Sequence, residues 1–208
     1  MSYKEHVKTI IQNKNTYIDI LKKTGREGID ELIKFLDKSQ FFIAPASARY
    51  HNALDGGLCD HSLKVHKLLC EKVRYHKLED KYTEANIAII ALLHDICKVR
   101  NYDPQIRWRK DANNKWESYP GYTYAEQEYP LGHGDKSVIM AMSFIKLSKI
   151  EVQGIYWHMG LTTNNDANGF SSAAKQHPIV ILTHTSDFEA AYMLETQGIQ
   201  EELVYVNK

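Results

Sequence analysis

The sequence has no excess charge of either sign: 26 Lys and Arg stand against 26 Asp and Glu. No global field therefore draws it to nucleic acid or to an anionic membrane. It has no apolar run long enough to span a bilayer, and its opening MSYKEHVKTI lacks the apolar core of a signal peptide. The expectation is a cytoplasmic chain without a membrane partner. Cysteine is scarce. Cys59, Cys70 and Cys97 are odd in number and show no CxxC spacing, which reads as reduced thiols and not as a disulfide frame or a zinc knuckle. Internal repeats and low-complexity tracts are missing too. Histidine and tyrosine are plentiful, at ten and thirteen, and the histidines need a reason.

The length of 208 residues suits one domain with a proper core, and 43% hydrophobic residues can supply it. Apolar positions at Val7, Ile10, Ile11, Ile18 and Leu21 predict a helix over 3–23, and Leu32, Ile33, Phe35 and Leu36 a second over 29–37. Residues 1–40 are expected to pack as helices on a core formed by 41–208. A loop over 39–57 delivers a helix over 58–77 that points His61 inward. Thr83 can cap the next helix. Its sequence over 85–100, ANIAIIALLHDICKVR, is apolar on almost every side over 87–93, as a helix buried all round must be. Residues 101–130 are irregular and aromatic. They suggest a hairpin over 106–116 turning at Asn113 and Asn114, which would form a lid or rim. His133 opens a further helix, another runs from Ile150 to Gly160, 161–176 reads as a polar loop, and Pro178 starts a last helix reaching about Leu194. The expected fold is all-α, a bundle of six or seven helices with a small β-hairpin or loop insertion.

Histidine and aspartate recur on successive helices: His61, then His94 and Asp95, then His133, His158 and Asp187. Adjacent ionisable groups at the end of a buried helix are costly unless paired, and a divalent metal pairs them most economically. Imidazole with carboxylate suits iron, manganese, zinc or nickel, and bundles build such sites from facing helices. Lys98 follows His94 by four residues and is expected on its face, within reach of a phosphate oxygen. Arg49 and His51, in the loop before His61, are candidate contacts for an anionic substrate. His184, one turn before Asp187, reads as a supporting partner behind the ligands, with substitute ligand as the alternative, and His6, Asp60, His66 and His76 as surface or helix-face residues.

GGLCDHSLKV over 56–65, LLHDICK over 92–98 and TSDFEAA over 185–191 resemble, in that order, the first-histidine, central and final-aspartate motifs of the HD-domain superfamily of metal-dependent phosphohydrolases. LGHGDKS and YWHMG match the branch with a second metal position. The resemblance covers about 45–194. It is similar to the HD domain of bacterial 3'-5' exoribonucleases, with about forty helical residues where that group carries an OB domain. The resemblance implies that His61, His94, Asp95 and Asp187 hold a first metal, and that His133 and His158, with Asp95 bridging, hold a second. It implies one or two divalent ions, iron or manganese foremost, with nickel, magnesium or zinc also fitting. The implied activity is hydrolysis of a phosphomonoester or phosphodiester by metal-bound hydroxide, with Asp95 and Lys98 catalytic. A nucleotide or short single-stranded nucleic acid is the substrate class expected. Some HD-domain proteins are instead di-iron oxygenases of small organic substrates, and that is the alternative.

Overall fold

The computed structural model describes residues 2–125, 131–161 and 167–206. Helix α1 (Tyr3–Lys23) starts in a capping box, where the Ser2 hydroxyl accepts from Glu5 N–H and the Glu5 carboxylate accepts from Ser2 N–H. It is followed by α2 (Ile29–Lys38), α3 (Gly57–Tyr75) and α4 (Glu84–Leu93). Thr83 caps α4, reciprocally with Asn86. Strands β1 (Tyr102–Lys110) and β2 (Trp116–Tyr124) come next, then α5 (His133–Met142), α6 (Lys149–Tyr156), α7 (Ala167–Gln176) and α8 (Ile179–Glu189). A π-turn over Ala190–Leu194 extends α8. None of the described helices is long and apolar enough to cross a membrane.

Helix α4 lies at the centre because it has two apolar sides. Ile89, Leu92 and Leu93 join one buried cluster with Tyr17, Leu21, Leu36, Phe41 and Ile155. Ile87, Ile90 and Ala91 join a second with Val65, Leu69, Ile179 and Leu182. Helices α1, α3 and α6 pack directly on it, and the N-terminal helices thus share one core with the rest of the chain. Gly134 permits the close contact of α5 with α6. A Cβ there would stand 2.0 Å from the Tyr156 carbonyl oxygen, closer than any side chain tolerates.

The expectation of an all-α chain is contradicted. The described residues form eight α-helices together with a two-stranded antiparallel sheet, in which Tyr102 pairs with Tyr124 and Lys110 with Trp116. The hairpin is longer than 106–116. The Asp111 carboxylate accepts from the N–H groups of Asn113 and Lys115, so an aspartate organises the turn, with Asn114 at φ 62°. The base of the hairpin packs Tyr102 and Tyr122 against Ala48, Ile199 and Val204, while Trp108 and Trp116 near its tip are exposed. The eighth helix is α7, within the stretch read as a polar loop over 161–176. Its only buried residue is Ala173, a signal too weak to stand out in so polar a sequence. Residues 162–166 of that loop, and 126–130 of the aromatic segment, lie outside the described residues. His6 is a further correction. It is buried, with its Nε2 2.7 Å from the Asp55 carbonyl oxygen.

Candidate metal centre

The centre forms where α4 stops. Leu93 is its last helical residue, His94 caps it, and Asp95 leaves the helix at φ −111° and ψ 18°, in the bridge region where active-site residues often sit. The pair thus stands at the end of the buried run, and a short 3₁₀ turn over Ile96–Lys98 follows it in place of the helical face expected to carry Lys98. The last carbonyls of any helix have no partner within the helix. Here the His94 side chain folds back, and its Nδ1–H donates to the Ala91 carbonyl at 2.8 Å. The end of α6 repeats the device, with His158 Nδ1–H donating to the Ile155 carbonyl at 2.7 Å. A carbonyl can only accept, so each imidazole must carry its proton on Nδ1 and turns Nε2 inward. The two rings thus stand at helix C-termini with their centroids 5.0 Å apart, and the negative end of a helix dipole favours a cation nearby.

His61, from α3, completes the pattern with a different anchor. Its Nδ1–H donates to Glu195 Oε1 at 2.8 Å, and the other oxygen of Glu195 accepts from His51 Nδ1–H at 2.7 Å. His61 Nε2 then lies 3.1 Å from His94 Nε2 and 3.1 Å from Asp187 Oδ1. Asp95 Oδ2 is 3.5 Å from His61 Nε2 and 3.4 Å from His94 Nε2. Asp187 Oδ1 is 3.9 Å from His94 Nε2. Ligand atoms about 2.1 Å from one ion stand roughly 3.0 Å apart in octahedral and roughly 3.4 Å apart in tetrahedral arrangement. Most of these separations match that spacing. Buried His, Asp and Glu groups of this kind could hold a metal ion.

Charge points the same way. Asp95, Asp187 and Glu195 bring three carboxylates to the cluster, and Lys98 brings one ammonium, 2.7 Å from Asp95 Oδ2. The imbalance equals the charge of one divalent cation. Without one, a proton takes part of that role. Burial opposes charge on His61, but the Glu195 and Asp187 carboxylates outweigh it and lift the imidazole to about 10. Burial likewise opposes the anionic form of Glu195, yet the His61 imidazolium holds it at about 2. Asp95 resists burial through Lys98 and His94, which hold it well below the carboxylate range. Lys98 would be lowered by burial, but Asp95 keeps it above the ordinary lysine value. Burial pulls His94 and His133 down.

The structure thus brings His61, His94, Asp95, Asp187, His158 and Lys98 together. His158 Nε2 and Asp95 Oδ1 stand 3.5 Å apart, and both are buried without a hydrogen-bond partner. His133 lies beside the cluster but is more exposed, with Nδ1 3.3 Å from Cys97 Sγ. Lys98 reaches Asp95 across a 3₁₀ turn and not along a helical face shared with His94. His51 Nδ1 is paired with Glu195, the same carboxylate that holds His61, and the His51 side chain keeps some exposure. Arg49 is exposed, and among the described residues no hydrogen bond or ion pair ties it to the cluster. His184 Nδ1–H donates to the His158 carbonyl at 2.8 Å, so it braces the backbone of a cluster residue. Glu195 and Cys97 were missed by sequence reasoning. Glu195 follows the π-turn, and no periodicity marks it. Cys97 stands two residues after Asp95, and that proximity was the available signal.

Set against known protein families, characterised proteins and solved structures, the chain matches none.

Proposed function

We propose that the chain is a metal-dependent phosphohydrolase of the HD-domain type, acting on a phosphomonoester or phosphodiester of a nucleotide or short oligonucleotide. The observation that carries the reading is the inward-facing donor set of His61, His94, Asp95 and Asp187, with each histidine held by its other ring nitrogen. The order of these residues along the chain resembles that superfamily. Iron or manganese suits the nitrogen and oxygen donors best, and His158 and His133 with the second oxygen of Asp95 would serve a second ion. A divalent ion there supplies a Lewis acid for the phosphoryl group and a water of lowered pKa.

The protein's own groups do the rest. Glu195, Ala91 and Ile155 fix which nitrogen each imidazole presents. Asp187 keeps 16% of its side chain exposed, so the cluster opens on that side. Lys98 is held charged, and Asp95 takes one of its three N–H donors. The remaining donors can meet phosphoryl oxygens and offset the charge that builds there. The test is phosphate release from a generic phosphodiester and from nucleotides, by protein supplied with manganese or with iron under anaerobic conditions. Oxygen uptake driven by a small organic substrate, with no phosphate released, would replace this reading with the oxygenase.

A further inference from the structure

The ligand set implied for a second ion leaves out a side chain that touches His133. Cys97 Sγ lies 3.3 Å from His133 Nδ1, and Asp95, Cys97 and His133 each place one donor atom within 4.8 Å of the others. The same carboxylate faces a second imidazole: Asp95 Oδ1 and His158 Nε2 stand 3.5 Å apart, both buried and neither with a hydrogen-bond partner. These two half-sites meet at Asp95. A hydrogen bond from the Cys97 thiol to His133 would account for the first. It does not account for the second, a long contact between two buried atoms that leaves each without a hydrogen bond, and such atoms are costly to bury unless something pairs them.

Spacing supports a shared ion. A thiolate at about 2.3 Å and an imidazole nitrogen at about 2.1 Å from one ion stand roughly 3.1 to 3.6 Å apart, and the observed 3.3 Å falls inside that range. The backbone holds the pair in register. Cys97 N–H donates to the hydroxyl of Ser137, which is wholly buried on the same helix that begins with His133.

We propose that Cys97 is a ligand of a second divalent ion, held jointly by Asp95, Cys97, His133 and His158. The inference rests on the metal-dependent reading above. When the ion binds, the Cys97 S–H bond breaks, its proton passes to solvent and a sulfur–metal bond forms. The two positions then differ in kind. The first is built from nitrogen and oxygen and suits iron or manganese. The second contains a soft thiolate, which selects zinc, cobalt or ferrous iron over magnesium and manganese.

The experiment is an anaerobic titration of the metal-free protein with cobalt(II). One equivalent should raise a near-ultraviolet thiolate-to-cobalt charge-transfer band, and Cys97→Ala should lose that band while still binding the other equivalent. Because Cys97 is buried, the wild type loaded with two equivalents of zinc gives a second reading that needs no variant. Its X-ray absorption should show one sulfur at about 2.3 Å. Cobalt binding without the band, a band that persists in Cys97→Ala, or a zinc shell of nitrogen and oxygen alone each overturns the proposal. A wild type that binds cobalt and releases phosphate without a sulfur ligand leaves the phosphohydrolase reading standing. One that binds no cobalt overturns both.

Discussion

Replacing Glu195 by glutamine should weaken metal binding without removing any metal ligand. The carboxylate now accepts two N–H donors, His61 Nδ1–H on one oxygen and His51 Nδ1–H on the other. Glutamine offers one acceptor oxygen and an amide that itself donates. One of the two histidines must lose its acceptor or turn over, and the negative charge that makes His61 a better donor disappears with it. Carboxylate partners of this kind are worth about 10–100-fold in metal affinity, which is about 1.4–2.7 kcal/mol. Competition with a chromophoric chelator measures the manganese affinity of wild type and Glu195→Gln, and circular dichroism checks that the variant is folded. A parallel His51→Phe variant keeps the His61 contact and should bind nearly as well as wild type. If Glu195→Gln binds as tightly as wild type, the carboxylate does not orient His61 and the account of the cluster's polarity is wrong.

Other outcomes follow from the same geometry. Below about pH 10 the metal-free His61 carries a proton that an ion must displace, so affinity should rise with pH by about one decade per unit. Calorimetry of manganese binding to the first position, at pH 7 in two buffers of different ionisation heat, should find about one proton released, and a release of none would contradict the charge assignment. In the metal-free protein the same raised pKa stabilises the fold fully below 6.5, and that contribution fades as pH rises through about 10. Lys98→Met should retain metal but lower kcat by about 10²-fold or more, as loss of one fixed positive charge beside a developing phosphoryl anion requires. Gly134→Ala should destabilise the fold by about 1–3 kcal/mol in urea unfolding, since its Cβ would meet the Tyr156 carbonyl at 2.0 Å.

The residue types and order of the cluster were readable because each sits on or beside a helix with a clear apolar stripe. His61 falls between Leu58 and Val65 on α3, and the all-round apolar run of α4 could only be a central helix. Local pattern places His94 and Asp95 at the end of that run, but it does not supply the 3₁₀ turn that follows and sets Lys98 on Asp95, because that exit depends on the tertiary partners of Asp95. The strands were underestimated for a similar reason. Their pairing from Tyr102 to Tyr124 is set across a turn built by Asp111, while the Asn pair drew attention to the tip alone. Glu195 was invisible because the π-turn before it shifts its direction away from any helical period. His6 looked like one more polar residue on an amphipathic helix, yet the Asp55 loop covers it.

The central claim is that His61, His94, Asp95 and Asp187 hold a divalent ion on which activity depends. Metal analysis of the purified protein, after loading with manganese or iron and removal of the excess, tests it most directly when paired with Asp95→Ala. The account predicts at least one tightly held ion per wild-type chain, and loss of that ion together with phosphate release in a folded Asp95→Ala. A wild type that cannot be loaded, or an Asp95→Ala protein that keeps both metal and full activity, would contradict it.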